Sequence, residues 1–194
     1  MKIAIVYHSG YGHTKRQAEA VAQGVKNRDP SADVPLISGT EIEKHWDDLD
    51  EADAIIFGAP TYMGSLSGPF KIFMDATSQR WTEQKWKNKI AAGFTNSSCQ
   101  NGDKLNSLIQ LVIFAAQHGM IWVGLDLLPG NNSSKGGIND LNRLGSWLGA
   151  MSQSNSDAGP DTAPITSDLK TAEYLGTRVA ETAQRWTKCA PKDS

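Results

Sequence analysis

Cysteine is scarce. Only Cys99 and Cys189 occur among 194 residues, too few for a disulfide framework or a cysteine-built metal cluster. Two reduced, unrelated thiols are the expectation, and no metal site is expected. An excess of one charge is lacking too. Nineteen Lys and Arg stand against 21 Asp and Glu, a formal net charge of -2. Such a balance gives no electrostatic case for binding nucleic acid. Long apolar runs are also missing, and nothing approaches the ~20 residues of a membrane-spanning helix. After Lys2 comes only the short run Ile3–Tyr7, too brief for a signal-peptide core. These absences predict a cytoplasmic protein with neither a membrane nor a nucleic-acid partner. No internal repeat or low-complexity linker divides the chain. Residues 1–194 are therefore expected to form one domain.

What is present begins at once. The apolar run Ile3–Tyr7 leads into His8-Ser9-Gly10-Tyr11-Gly12-His13-Thr14, and a helical pattern comes next with Ala18, Val21, Ala22 and Val25 on one face. A strand that turns through Gly, Ser and Thr into a helix aims backbone N–H groups and the positive helix end at one point, which suits a phosphate. The turn has neither the lysine of a triphosphate loop nor three glycines at dinucleotide spacing. Thr14 and Gln17 have the spacing of a capping box.

Strand and helix signals alternate along the rest of the chain. Strands are expected near 2–7, 33–37, 54–58, 89–96 and 120–123. The acidic segment 41–53 reads as a solvated helix or turn anchored by Trp46. Helices are expected from Gly68, with Phe70, Phe73 and Met74 inward, and around Leu105, Leu108, Val112 and Ala115, ending near His118-Gly119. A last helix turns Ala172, Leu175, Val179, Ala183 and Trp186 to the core, before a polar tail from Lys188. Segment 124–164 breaks the rhythm, with seven glycines and a possible strand near 148–152. It reads as a functional excursion. The alternation points to an α/β fold: a doubly wound parallel sheet with helices on both faces.

Three loops leave the carboxyl ends of strands, where open α/β sheets bind ligands. In Ser9–Thr14, hydroxyls and amides offer neutral donors for a phosphate monoester. His13 is either a donor or a solvated helix-start residue. Ala59–Ser65 holds Pro60, Thr61, Tyr62, Met63 and Gly64, a rigid turn able to lie against a flat ring or simply to cover the core. Thr95–Asp103 is polar and can read the edge of a heterocycle or stand as an exposed loop.

Together these motifs resemble a known family. Ser9–Thr14, Gly58–Gly64, Ser67–Asp75, Phe94–Ser98 and Ala116–Met120, in this order and spacing, are similar to flavodoxin-fold NAD(P)H:quinone oxidoreductases of the WrbA type. The resemblance covers nearly the whole chain. It implies a five-stranded sheet in the order 2-1-3-4-5 and a bound FMN. Ser9, Tyr11, Gly12, His13 and Thr14 match the family's phosphate loop. Pro60, Thr61, Tyr62, Met63 and Gly64 match its ring loop. Thr95, Asn96, Ser97, Ser98, Gln100, Asn101 and Gly102 match the loop at the pyrimidine end. His118 matches a family histidine close to the flavin, and with Tyr62 it is expected to steady quinone oxygens or supply a proton. Trp81 resembles a tryptophan that walls the pocket from a neighbouring subunit, which implies a homodimer or homotetramer. Trp86, Trp122 and Trp147 are further candidates for contacts.

The implied reaction carries two electrons from NADH or NADPH, through FMN, to a quinone or similar acceptor by ping-pong hydride transfer. The alternatives are a flavodoxin-type electron carrier, an NAD(P)H:FMN reductase and a regulatory binding module. The chain departs from the family pattern at Tyr62-Met63, where an Arg-Phe pair is usual, and at Asn96 and Cys99–Asn101. It also departs at Asn142–Trp147, which stands in place of a Gly-Thr-Pro-Tyr-Gly signature.

Overall fold

The computed structural model describes residues 1–189. Residues 190–194, most of the predicted tail, and the Cys189 side chain lie outside that range. The element order is β1 (Ile3–Tyr7), α1 (His13–Arg28), β2 (Leu36–Ser38), a 3-10 turn (Gly39–Lys44), α2 (Trp46–Asp50), β3 (Ala54–Tyr62) and β4 (Ser65–Leu66). Next come α3 (Gly68–Ala76), α4 (Ser78–Thr82), β5 (Ile90–Ser97), α5 (Lys104–Gln117), β6 (Ile121–Trp122), β7 (Ala150–Gln153) and α6 (Thr166–Cys189). The main sheet is parallel and runs β2-β1-β3-β5-β6. β7 also pairs with β5, through Phe94–Ala150 to Ser97–Gln153, beyond the β6 pairing at Ile90 and Ala91. The fifth position of the expected order is thus filled by two short strands. Residues 123–149 loop out between them.

Alternation along the strands divides the core. Ile3, Ile5, Ile56, Ala92 and Phe94 face one side and pack with Val21 and Val25 of α1 and Leu175, Val179 and Ala183 of α6. Val6, Ile55, Phe57 and Ala91 face the other and meet Phe70, Phe73, Trp86, Leu111 and Phe114. A stretch buried on both faces is apolar at every position, which is why Ala54–Phe57 of β3 shows no polar alternation. Helices α1 and α6 approach closely. A Cβ on Gly24 would stand 1.8 Å from the Glu173 carbonyl oxygen, and one on Gly176 would stand 2.0 Å from that of Val21.

Several local expectations differ from what formed. α1 begins at His13 behind Gly12, whose φ of 89 is left-handed. Thr14 therefore lies inside the helix and caps nothing, and Gln17 is buried, donating from Nε2 to the Ala150 carbonyl. β3 continues through Pro60, which pairs in register with Asn96. Past Gly58 the strand has lost its β1 neighbour, and an edge tolerates a residue without an N–H. On α5 the inward face is Leu108, Leu111, Phe114 and Ala115, while Leu105 is exposed. That helix is apolar on two faces, so periodicity marks the helix without choosing its inner face. Trp186 is exposed on α6, and Trp86 is fully buried with Nε1 donating to Asp50.

Candidate active site

The carboxyl ends of β1, β3, β5 and β7 converge on a cavity of about 580 Å³, within the usual size of a small-molecule site. Ser9, Tyr11, His13 and Thr14 line it from the first loop, Pro60, Thr61 and Tyr62 from the second, and Asn96, Ser97 and Ser98 from the third. Three stretches distant in sequence meet here because parallel strands deliver all their outgoing loops to one edge of the sheet.

The first loop is held from within. Ser9 Oγ accepts from the Gly12 and Lys15 amides at 3.1 Å each. Its own hydroxyl hydrogen is left to donate. No acidic residue stands in the first turn of α1, so no side chain of that turn cancels the positive end of the 16-residue helix, which favours an anion. His13 does not serve as a free donor. Its Nε2 lies 2.8 Å from the Ala158 carbonyl, which only accepts, so that nitrogen carries the hydrogen and spends it there.

The second loop is braced by a buried triangle of hydroxyls. Thr61 Oγ1 lies 2.7 Å from both Thr95 Oγ1 and Ser107 Oγ. Its far end is tied by Asn106 Nδ2, which donates to the Gly64 carbonyl at 2.7 Å. Tyr62 turns back over the first loop. A Cβ on Gly10 would stand 2.6 Å from its hydroxyl oxygen, and its ring meets Tyr11 edge to face at 6.4 Å. Burial, the main cause, raises the Tyr62 phenol above its ordinary pKa, so it stays protonated around neutrality. In the third loop Asn96 Oδ1 accepts from Ser152 and Ser154 at 2.9 Å each, which fixes the amide and keeps its NH2 as the donor.

Not every expected residue reaches the cavity. Thr95 lies beneath it, fully buried in the hydroxyl triangle. Gly12 and Gly64 supply turns with φ of 89 and 74, and Met63 at φ 48 projects wholly into solvent. Gln100 and Asn101 line a separate groove with Arg143 and Trp147. The chain swings there through Gly102, φ 57, and Lys104 draws in the Cys99 and Gln100 carbonyls at 2.6 and 2.9 Å.

His118 is the largest correction. It is buried at the opposite end of the sheet, where β5 and β6 begin, against Trp86 and Phe114 with ring centroids at 4.5 and 4.9 Å. Thr77 Oγ1 donates to the Met74 carbonyl, so it accepts from His118 Nε2 at 2.9 Å. Nδ1 has no partner among the described residues. Burial pushes the imidazole pKa down to about 4. It stays neutral and lies outside the cavity of its own chain.

The cavity's remaining wall was missed in the sequence. Ser154, Ser156, Asp157, Ala158 and Gly159 line it from the end of the 124–164 excursion. Pro160 lies so close over the first loop that a Cβ on Gly12 would meet it at 2.9 Å. The signal was legible in principle. A Ser/Asn/Asp run comes after the strand near 148–152, and placing that strand beside β5 would have brought a fourth loop to the same edge. Asn142 and Arg143, in the segment that departs from the family pattern, hold this excursion in place. Asn142 Nδ2 donates to the Leu127 and Ser146 carbonyls. Arg143 pairs through Nε and Nη2 with Asp168 at 2.8 Å each, and Asp168 also accepts from the Gln153 amide.

A cradle of neutral donors at a helix start, beside a slot walled by Tyr11, Tyr62 and amide-bearing Asn96–Ser98, fits the phosphate and flat polar-edged ring of FMN. Comparison with known proteins agrees. Residues 1–127, which include the first three loops, match the family described as NADPH-dependent FMN reductase. The chain is 46% identical to a protein named flavodoxin FldP from Pseudomonas aeruginosa, covering 95% of this chain and 97% of that one. It is 34% identical to an NAD(P)H dehydrogenase (quinone) from Syntrophobacter fumaroxidans, over 97% and 100% of the two chains. Among solved structures it is similar to a WrbA-like flavodoxin from Agrobacterium tumefaciens, with a TM-score of 0.72 and 42% identity over 95% and 98% of the chains. The chain belongs to the NADPH-dependent FMN reductase family and stands there among flavodoxin-fold, WrbA-like proteins.

Proposed function

We propose that this protein is an FMN-dependent oxidoreductase that carries two electrons, as hydride, from NADH or NADPH to a quinone in a ping-pong cycle. The observation that supports this most is the single cavity that joins an anion cradle to an aromatic-walled slot. Bound FMN would supply the two-electron chemistry. The chain's own residues position it. Ser9, Thr14 and the α1 amides would hold the phosphate. Thr61, fixed by Thr95 and Ser107, and the Asn96–Ser98 segment would hold the ring edge. Tyr62 ties the first two loops together and keeps its phenol proton available to a substrate oxygen. In this role it replaces His118, which is too deeply buried to donate.

The reading extends to a homodimer or homotetramer in the cytoplasm. It is supported by Trp81, half exposed on α4, and by Leu105, Ile109 and Ile113 exposed along α5. Among the described residues no helix is long and apolar enough to cross a membrane.

The holoprotein mixed with NADH or NADPH and benzoquinone tests the proposal. Turnover with parallel double-reciprocal lines is expected. One observation favours a second reading, a flavodoxin-type electron carrier: the 46% identical relative bears that name. Absence of turnover with either donor, while the FMN-loaded protein still passes single electrons to a haem acceptor, overturns the enzyme and leaves the carrier. Loss of FMN at each turnover would instead indicate release of reduced flavin. A monomer with full activity in light scattering removes the oligomer.

A further inference from the structure

Lys104 is the first residue of α5 and is completely buried. Its amine makes three hydrogen bonds: to Ser97 Oγ at 2.8 Å, the Cys99 carbonyl at 2.6 Å and the Gln100 carbonyl at 2.9 Å. Two of these partners are carbonyls that can only accept. The third, Ser97, donates its own hydrogen to the Cys99 carbonyl at 2.9 Å, so its oxygen must accept as well. Three acceptors require three N–H donors, and only the charged ammonium has three.

That charge has no carboxylate of its own. No salt bridge to Lys104 occurs among the described residues. The charged and titratable groups around it are Asp168, Cys99 and Arg143. Asp168 already spends both oxygens on the Arg143 guanidinium. The group of Lys104, Arg143 and Asp168 therefore keeps one net positive charge. Desolvation, the dominant cause, brings the Lys104 pKa down to about 8, which still leaves the amine mostly charged near neutrality. Ser97 lines the cavity, so the ammonium stands one hydrogen bond behind the wall that would face the ring.

We propose that Lys104 is a positioning residue that fixes a positive charge behind the ring end of the cavity and so favours reduced over oxidised flavin. This rests on FMN occupying the cavity, as in the proposed function. Two electrons and one proton taken up by the neutral oxidised ring leave one negative charge on it. A buried cation nearby stabilises that state far more than the neutral one, because few waters intervene to screen it. Lys104 moves no proton and touches no substrate. It acts through Ser97 and the loop it gathers.

The two-electron midpoint potential of FMN-loaded wild type, Lys104→Gln and Lys104→Arg tests this. Lys104→Gln keeps an amide donor for the loop and loses the charge. It is expected to weaken the preference for reduced over oxidised FMN about tenfold, a potential roughly 30 mV lower for the two-electron couple. Lys104→Arg keeps the charge and is expected to stay near wild type. Equal potentials in wild type and Lys104→Gln overturn the inference. Should Lys104→Gln fail to fold or to hold FMN, wild type labelled with 13C at the lysine Cε carbons decides the matter. The Lys104 titration midpoint is expected to rise when the bound flavin is reduced, and an unchanged midpoint overturns the inference. A wild-type protein that takes up no FMN overturns the functional reading and this inference with it. FMN uptake with unaltered Lys104 behaviour overturns only the inference.

Discussion

His13 and His118 stand at opposite ends of one parallel sheet, each in a region that holds aromatic rings and hydroxyls. At the carboxyl end His13 lines an open cavity together with Tyr11, Thr14, Thr61 and Tyr62. At the amino end the neighbours of His118 close on it: Trp86 and Phe114 pack its faces and Thr77 takes its Nε2 hydrogen. Similar residue types thus build a ligand site at one end and a solid core at the other. The difference lies in the segments that flank the strands. At the carboxyl end four loops diverge and leave space between them. At the amino end the helices return to the sheet and their side chains fill the gap.

The packed end is expected to answer perturbation in stability, and the open end in binding. Trp86→Ala is the largest blow. Its indole is fully buried and bonded to Asp50, and such truncations cost about 3–5 kcal/mol. Urea unfolding should show that loss, while FMN affinity of the folded fraction stays near wild type. Weak FMN binding with unchanged stability would break the contrast.

The next effect is a pH dependence. His118 titrates at about 4 in the fold against an ordinary 6.5. The unfolded chain binds the extra proton first. Stability is therefore whole above pH 6.5 and declines as the pH falls toward 4, by roughly 3 kcal/mol. In His118→Gln this part of the acid slope should vanish. An unchanged slope in urea midpoints between pH 7 and 4 would mean that His118 is not sealed.

Ser9→Ala sharpens the other side. It removes the acceptor of the Gly12 and Lys15 amides and one cradle donor. FMN should bind about tenfold more weakly, on the order of 1.4 kcal/mol for a lost hydrogen bond to a charged group. Fluorescence titration of the apoprotein reads it. Met63→Ala is the smallest change. The side chain is fully exposed, so stability should move by less than about 0.5 kcal/mol. A larger drop in thermal melting would show that Met63 is packed.

Much of this contrast is legible in the sequence. β3 reads as a doubly buried strand because every residue from Ala54 to Phe57 is apolar, and Ser9–Thr14 reads as an anion loop because Gly, Ser and Thr separate a strand from a helix. Both are local signals. His118 is not legible. It falls on a family motif, yet a motif does not say which end of the sheet a helix terminus reaches in its own chain. Gln100 and Asn101 are misplaced for a related reason. A polar loop looks uniformly available in sequence, and only the captured carbonyls under Lys104 show where it turns away.

The sequence by itself determined the alternation of elements, the apolar strands and the first three cavity loops, because hydrophobic period and turn chemistry act over a few residues. Only the tertiary structure decided that the excursion supplies the fourth wall, that β6 and β7 share one sheet position, and that Lys104 is buried charged while His118 is buried neutral. Those outcomes depend on contacts between residues far apart in the chain. Burial and hydrogen-bond partners set them, and neither is written in the local order of residues.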